Sequence, residues 1–265
     1  MKKALILSTG VALAAFALPA GADDASPVSA SQGVTVQYAG SVMIFQVADI
    51  VVNGVFEQDT YRASARFTAA GLAALFTDAD IEAGVSGYRD GAQLQPWRYS
   101  HLNHASNKGR IVGIDFPDGV ATPDINPPFG NMGEPPASEE QRRGAADPLS
   151  TLLSVGLGAA ANGDAPCEGS MPVFDGRARY NLRFEYGGQD RVRTRAWSGD
   201  ADVCHAFYEP IAGYEVDEFP SDDVTSNPIT MWFAEVGDGV RVPVRIRTNA
   251  GFGGVTVTAR AIQVN

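Results

Sequence analysis

Apolar and polar positions alternate along most of the chain, which is the two-residue period of β-strands. Val34, Val36 and Tyr38 fall on one side of an extended segment, and Thr35 and Gln37 on the other. Ser41 to Val52 is rich in β-branched residues and apolar on both faces, so it predicts a long, covered strand with a tight turn at Asn53-Gly54. Tyr61, Ala63, Ala65 and Phe67 oppose Arg62, Ser64 and Arg66. Glu82 to Arg89, Trp97 to Asn103 and Arg110 to Phe116 predict further strands, while Gly71 to Phe76 fits either a strand or a helical turn. In the last third, Ala178, Tyr180, Leu182, Phe184 and Tyr186 share one face, and Gly187-Gly188-Gln189-Asp190 is expected to turn the chain. Val203 to Tyr208, Ile229 to Val236, Val240 to Arg247 and Val255 to Val264 complete the pattern, with turns at Gly237-Asp238-Gly239 and Gly251 to Gly254. About a dozen strands joined by tight turns predict antiparallel pairing.

Two segments break this rhythm. The first holds Pro117, Pro123, Pro127, Pro128, Pro135 and Pro136 within residues 117–146, and predicts a long irregular connection, either mobile or packed as a strap. The second opens at Asp147, a helix N-cap with Pro148 in the first turn, and continues through Leu149, Leu152, Leu153, Val155 and Leu157 to Gly163 or an earlier glycine. Its apolar residues cover much of the circumference, so this one helix is expected to be buried. A dozen flat strands present more apolar face than one helix of about 12 residues covers. The expected fold is therefore mainly β: a large, strongly curved antiparallel sheet, an incomplete barrel or spiral, wrapped around one buried α-helix.

Composition adds a compartment. Met1-Lys2-Lys3, an apolar run from Ala4 to Leu18 and Ala20-Gly21-Ala22 before Asp23-Asp24 have the layout of a secretory signal, with cleavage expected after Ala22. The expected organisation is residues 1–22 as signal peptide, 23–33 as a flexible leader and 34–265 as a single β domain. The apolar run is short for a membrane span, and no transmembrane segment is expected after cleavage, so the protein is placed in the periplasm. Cys167 and Cys204 are an even pair in an exported chain and are expected to form a disulfide, worth roughly 4 kcal/mol by loop-closure entropy. The net charge of −11 argues against a nucleic-acid partner.

Asp147-Pro148-Leu149-Ser150, then Pro172-Val173-Phe174-Asp175-Gly176 leading into Arg179-Tyr180-Asn181-Leu182, then Val242-Pro243-Val244-Arg245-Ile246, resemble a domain-of-unknown-function family of exported proteobacterial proteins. The Tyr61 and Gly71 segment and Leu94-Gln95-Pro96 fit its N-terminal half. The resemblance implies structural roles for Asp147, Pro148, Ser150, Asp175, Gly176 and Pro243, and a sheet similar to that of the lipoprotein carriers LolA and LolB. It implies no enzyme activity.

Chemistry-bearing patterns are sparse. His101 and His104 stand at i and i+3 on an extended segment, where they point to opposite sides, and His205 follows Cys204. Asp115, Asp118 and Asp124 match no calcium-loop spacing. Glu139-Glu140 with Arg142-Arg143 reads as a solvated patch. No nucleophile elbow, phosphate loop or dinucleotide glycine pattern is present, so no catalytic residue, metal or cofactor is expected. The exception to this blandness is arginine. Arg177, Arg179 and Arg183, then Arg191, Arg193 and Arg195, then Arg241, Arg245 and Arg247 form three stripes in an acidic protein, a candidate anion-binding face. The expected function is a non-catalytic protein of envelope assembly or integrity. It would bind a lipid or lipoprotein-like ligand, or an envelope protein; the alternatives are a ligand-free interaction module and a hydrolase or metal enzyme.

Overall fold

The computed structural model describes residues 31–265 apart from Leu72, Lys108, Asp238, Gly251 and Phe252. The expected signal peptide and most of the expected leader lie outside the described residues. The first seven strands are β1 (Gln32–Val42), β2 (Phe45–Phe56), β3 (Thr60–Ala69), β4 (Asp80–Asp90), β5 (Gln93–Asn103), β6 (Ile111–Asp115) and β7 (Thr122–Asn126). Helices α1 (Glu139–Arg142) and α2 (Pro148–Leu157) follow. Then come β8 (Gly169–Phe174), β9 (Arg179–Arg193), β10 (Ser198–Ala212), α3 (Asp222–Ser226), β11 (Ile229–Gly237), β12 (Val240–Ala250) and β13 (Gly253–Val264). All 13 strands form one sheet in the order β7-β6-β5-β4-β3-β2-β1-β13-β12-β11-β10-β9-β8. Every ladder is antiparallel.

The sheet is therefore two meanders joined where β1 meets β13, with Val34 opposite Val264. Gly33 and Asn265 exchange backbone hydrogen bonds of 3.0 and 2.9 Å, so ordered strand begins at Gln32, inside the expected leader. The edges, β7 and β8, are not ladder partners. The segment between them lies along both: Val120 bridges Arg143, and Ala146 bridges Val173 in parallel. The expected Pro-rich connection, residues 117–146, carries β7 and α1 and packs as a strap along this edge. Ser138 caps α1 in a reciprocal capping box with Gln141. The Arg142 guanidinium lies 5.8 Å from the Phe174 ring centroid and donates to the Ala121 carbonyl, sealing strap to sheet.

Two expected turns are strand interior. Asn53 and Gly54 sit within β2, and the β1–β2 turn falls at Met43 and Ile44. Gly54 sits in a crowded place: a Cβ there would stand 3.2 Å from the Phe56 ring and 3.4 Å from Val34. Gly187 and Gly188 likewise do not turn the chain. They lie opposite the single Val203, a β-bulge that re-aims β9 and lets it run for 15 residues. The turn comes instead at Thr194–Trp197, where Ala196 N and Trp197 N donate to Thr194 Oγ1 at 3.2 and 2.9 Å. As a result, the first two arginine stripes do not lie on neighbouring strands. Arg179, Arg183, Arg191 and Arg193 share β9, with Arg177 just before it and Arg195 in the turn after it.

Candidate functional site

Helix α2 lies inside the curve of the sheet, and both of its ends are held by polar groups. At its start, Asp147 is fully buried. Its Oδ1 accepts from the backbone N–H groups of Leu149 and Ser150 at 3.0 and 2.9 Å, and its Oδ2 from the Ser150 hydroxyl at 2.5 Å. Ser150 Oγ in turn meets the Tyr61 hydroxyl of β3 at 2.6 Å. Desolvation pushes the Asp147 carboxyl up to about 6, although every one of these donors favours its ionised form. Burial also raises Tyr61 and Tyr38 well above the ordinary phenol range. Pro148 supplies the first turn, as the sequence implies.

At the other end, Gly158 closes α2 in the left-handed region at φ 93°. Arg241 of β12 donates to the Val155 and Pro166 carbonyls at 3.2 Å each and to Asp202 Oδ2 at 3.2 Å. A cation over the last carbonyls of a helix complements its dipole. A Cβ on Gly156 would stand 2.4 Å from the Arg241 carbonyl oxygen, so the helix backbone lies directly on β12 there. Beyond the helix, the Cys167–Cys204 disulfide ties the departing chain to β10. Cys204 packs with Val155, Phe184, Ala206, Met231 and Phe233 in a compact cluster.

Between these anchors the helix does not fill its seat. An apolar cavity of about 260 Å³ is lined by Leu149, Leu152 and Leu153 on the helix side. Val34, Val36 and Tyr38 of β1, Ile50 and Val52 of β2 and Ala65 of β3 form one wall. Val242, Pro243 and Ile246 of β12 and Val257 of β13 form the other, and Arg241 closes the end beside its clamp. The volume is near the lower bound of small-ligand sites, and the lining is almost wholly aliphatic. Tyr38 and Arg241 line it beside the aliphatic side chains, and the space can hold hydrocarbon.

The remaining sequence candidates are placed as follows. Asp175 Oδ1 accepts from the N–H groups of Arg177 and Ala178 at 2.9 and 2.7 Å, and Gly176 has φ 107° with Val112 packed where a Cβ would be. This turn seats the end of β8 against β6 at the seam. Pro243 lines the cavity opposite Phe233. His101 meets Tyr99 at 3.3 Å, His104 pairs with Glu82 at 3.2 Å and His205 bonds Thr230 at 3.0 Å, so the three histidines serve separate places. Asp115 and Asp124 both pair with Arg98. Arg143 pairs with Glu139. Among the described residues, no group of three His, Cys, Asp or Glu side chains is arranged to hold a metal ion.

Most of the candidate arginine face is already partnered. Arg177 pairs with Glu215 and Glu218, Arg183 with Glu185 and Glu209, and Arg241 with Asp202. Arg179 is buried and donates to the carbonyls of Gln141 and Tyr180. Arg245 stacks over Trp232 at 5.7 Å and donates to the Arg193 carbonyl at 2.9 Å. Arg191, Arg193, Arg195 and Arg247 make no ion pair with the described residues. The sequence pattern missed the cavity itself, because an empty space has no residue signature.

No curated protein matches the sequence. Among solved structures, the fold is similar to the crystal structure of a β-barrel-like protein of domain of unknown function DUF1849 from Brucella abortus. That likeness has a TM-score of 0.54 at 10% identity, covering 90% of this chain and 98% of that one. The shared feature is the curved sheet. A family described as "Protein of unknown function (DUF3108)" matches residues 34–260, and this chain belongs to it.

Proposed function

We propose that this is a non-catalytic protein of the bacterial cell envelope that holds an apolar or amphipathic ligand between α2 and the concave sheet. The apolar cavity of about 260 Å³ beneath a helix clamped at both ends carries this reading. A ligand chain there would recover the dispersion contacts that the facing aliphatic walls lack. The disulfide suits an oxidising compartment, which supports export to the periplasm. Among the described residues no helix is long and apolar enough to cross a membrane. By analogy with the lipoprotein carriers LolA and LolB, the ligand class is a lipid acyl chain; this rests on fold analogy.

The test is native mass spectrometry of the purified full chain titrated with palmitate, alongside Ala65→Phe, whose ring is placed to fill the cavity. A saturable one-to-one adduct in the wild type that is absent in the variant is expected. Clean protein at every palmitate load, or an adduct undiminished in the variant, overturns the reading.

A second reading has its own observation. Exposed apolar side chains gather on connections at one end of the sheet, with Ile44 86%, Phe76 82% and Val216 85% exposed. The connection from Gly213 to Pro228 has five acidic residues and no basic one. An apolar, acidic rim is the surface a protein partner with basic and apolar side chains would cover.

A further inference from the structure

We propose that the hairpin joining β9 and β10 is a phosphate-binding site that docks the protein onto a bilayer carrying anionic phospholipid. The inference is independent of what the cavity holds. It starts from the division among the arginines. Five of the nine stripe residues are held by carboxylates, carbonyls or an indole ring. Of the other four, which make no ion pair with the described residues, Arg191, Arg193 and Arg195 fall within five residues on this one hairpin.

The hairpin presents them in fixed directions. Val192 is buried between Arg191 and Arg193, so both guanidinium groups leave from the solvent face. Ser198 pairs across from Arg193 and Asp200 across from Arg191. A surface recess of about 370 Å³ lies against Arg191, Val192, Arg193 and Ser198. The turn that carries Arg195 is locked by the Thr194 hydroxyl and by a 2.7 Å bond from Thr194 N to the Trp197 carbonyl. Arg245 adds a fourth cation alongside, donating to the Arg193 carbonyl. The nearby carboxylates include Asp190, Asp200 and Asp202, the last paired with Arg241. Asp190 accepts from Trp232 Nε1 at 3.1 Å, and Asp200 makes no ion pair with the described residues. The local sum is positive in a chain of net charge −11.

Arginine recognises phosphate through several donors at once, and weak hydration of its guanidinium lowers the cost of leaving water. The protein's overall negative charge does not forbid the contact, because charges more than about 8 Å away are largely screened at physiological ionic strength. Three arginines close to an anionic surface are expected to raise partitioning about 100-fold. An array of lipid phosphates matches arginines spread over five residues of a hairpin and its turn better than one free anion does.

The experiment is sedimentation of the full chain with phosphatidylcholine vesicles, with and without phosphatidylglycerol. The protein is compared with R191Q/R193Q/R195Q and with a matched triple from β3 and β4, R62Q/R66Q/R89Q. Near-UV circular dichroism and the disulfide mass check that each variant is folded. Expected are salt-sensitive binding of wild type to phosphatidylglycerol vesicles only, a loss of about 100-fold in the hairpin triple, and retention in the matched triple. Rescue by R191K/R193K/R195K is also expected for an electrostatic surface contact. No vesicle binding by wild type overturns the proposal, as does equal loss in both triples. Displacement from vesicles by millimolar inorganic phosphate at constant ionic strength overturns it too, in favour of a small-anion site.

Discussion

The two ends of α2 and its middle follow opposite rules. At the ends, polar groups are matched by directional bonds: Asp147 by three donors, and the Val155 carbonyl by Arg241. In the middle, Leu149, Leu152 and Leu153 face aliphatic side chains across unfilled space. Ordinary cores close such gaps, since each cubic ångström of residual cavity destabilises. A helix free to shift would sink toward the sheet. Fixing its ends by directional bonds prevents that collapse, so polar anchoring is what allows an apolar space to persist.

The comparison breaks most severely if an anchor is released. Replacing Cys167 and Cys204 by serine frees the segment leaving α2, and is expected to cost about 4 kcal/mol in urea denaturation. Retained stability would mean that Arg241 and Asp147 suffice to hold the helix.

Acidity tests the other anchor. The Asp147 carboxyl, at about 6, lies above the ordinary 3.8 of an unfolded carboxylate. Between those values the native state binds the proton more tightly, so stability present at the acid end is lost as pH rises through the window. The loss is about 3 kcal/mol for this group alone. Asp147→Asn keeps a capping oxygen and removes the titration. Wild type should therefore lose about 2 kcal/mol more than the variant on going from pH 4 to pH 7, the remainder falling below pH 4; parallel pH profiles would show that Asp147 does not titrate in that window.

The smallest effect sharpens the contrast. Ala65→Leu adds aliphatic volume to the cavity wall and should stabilise by about 1 kcal/mol while lowering palmitate binding. Destabilisation instead would mean that the wall has no slack to take a larger side chain.

These anchors differ in how far sequence exposes them. Asp147-Pro148 announces a helix start because capping is local: the donors lie two and three residues away. The period-two pattern likewise gives the curved sheet and most strand positions, since alternation is a property of neighbours in sequence. Arg241 looks like one member of a solvent stripe, yet it clamps a helix end 86 residues away, and that partnership exists only after folding. Glycine pairs mislead for a related reason. Asn53-Gly54 and Gly187-Gly188 have turn chemistry, but tertiary crowding under Phe56 and a register change opposite Val203 decide their use. β8 escapes the pattern because Pro172 interrupts a short strand at the sheet edge, where a missing N–H is tolerated.

The pairing of β1 with β13 sets the order of assembly. Most other ladders join strands adjacent in the chain, whereas this one joins residues more than 200 positions apart. Local hairpins form in microseconds, while a contact at such separation must first meet a loop-closure cost that grows with the logarithm of length. The two meanders are therefore expected to fold as separate units and to zip together last. A slow refolding phase should report on the β1–β13 ladder, and until it closes, two long unpaired edges remain open to chaperones or to a second unfolded chain.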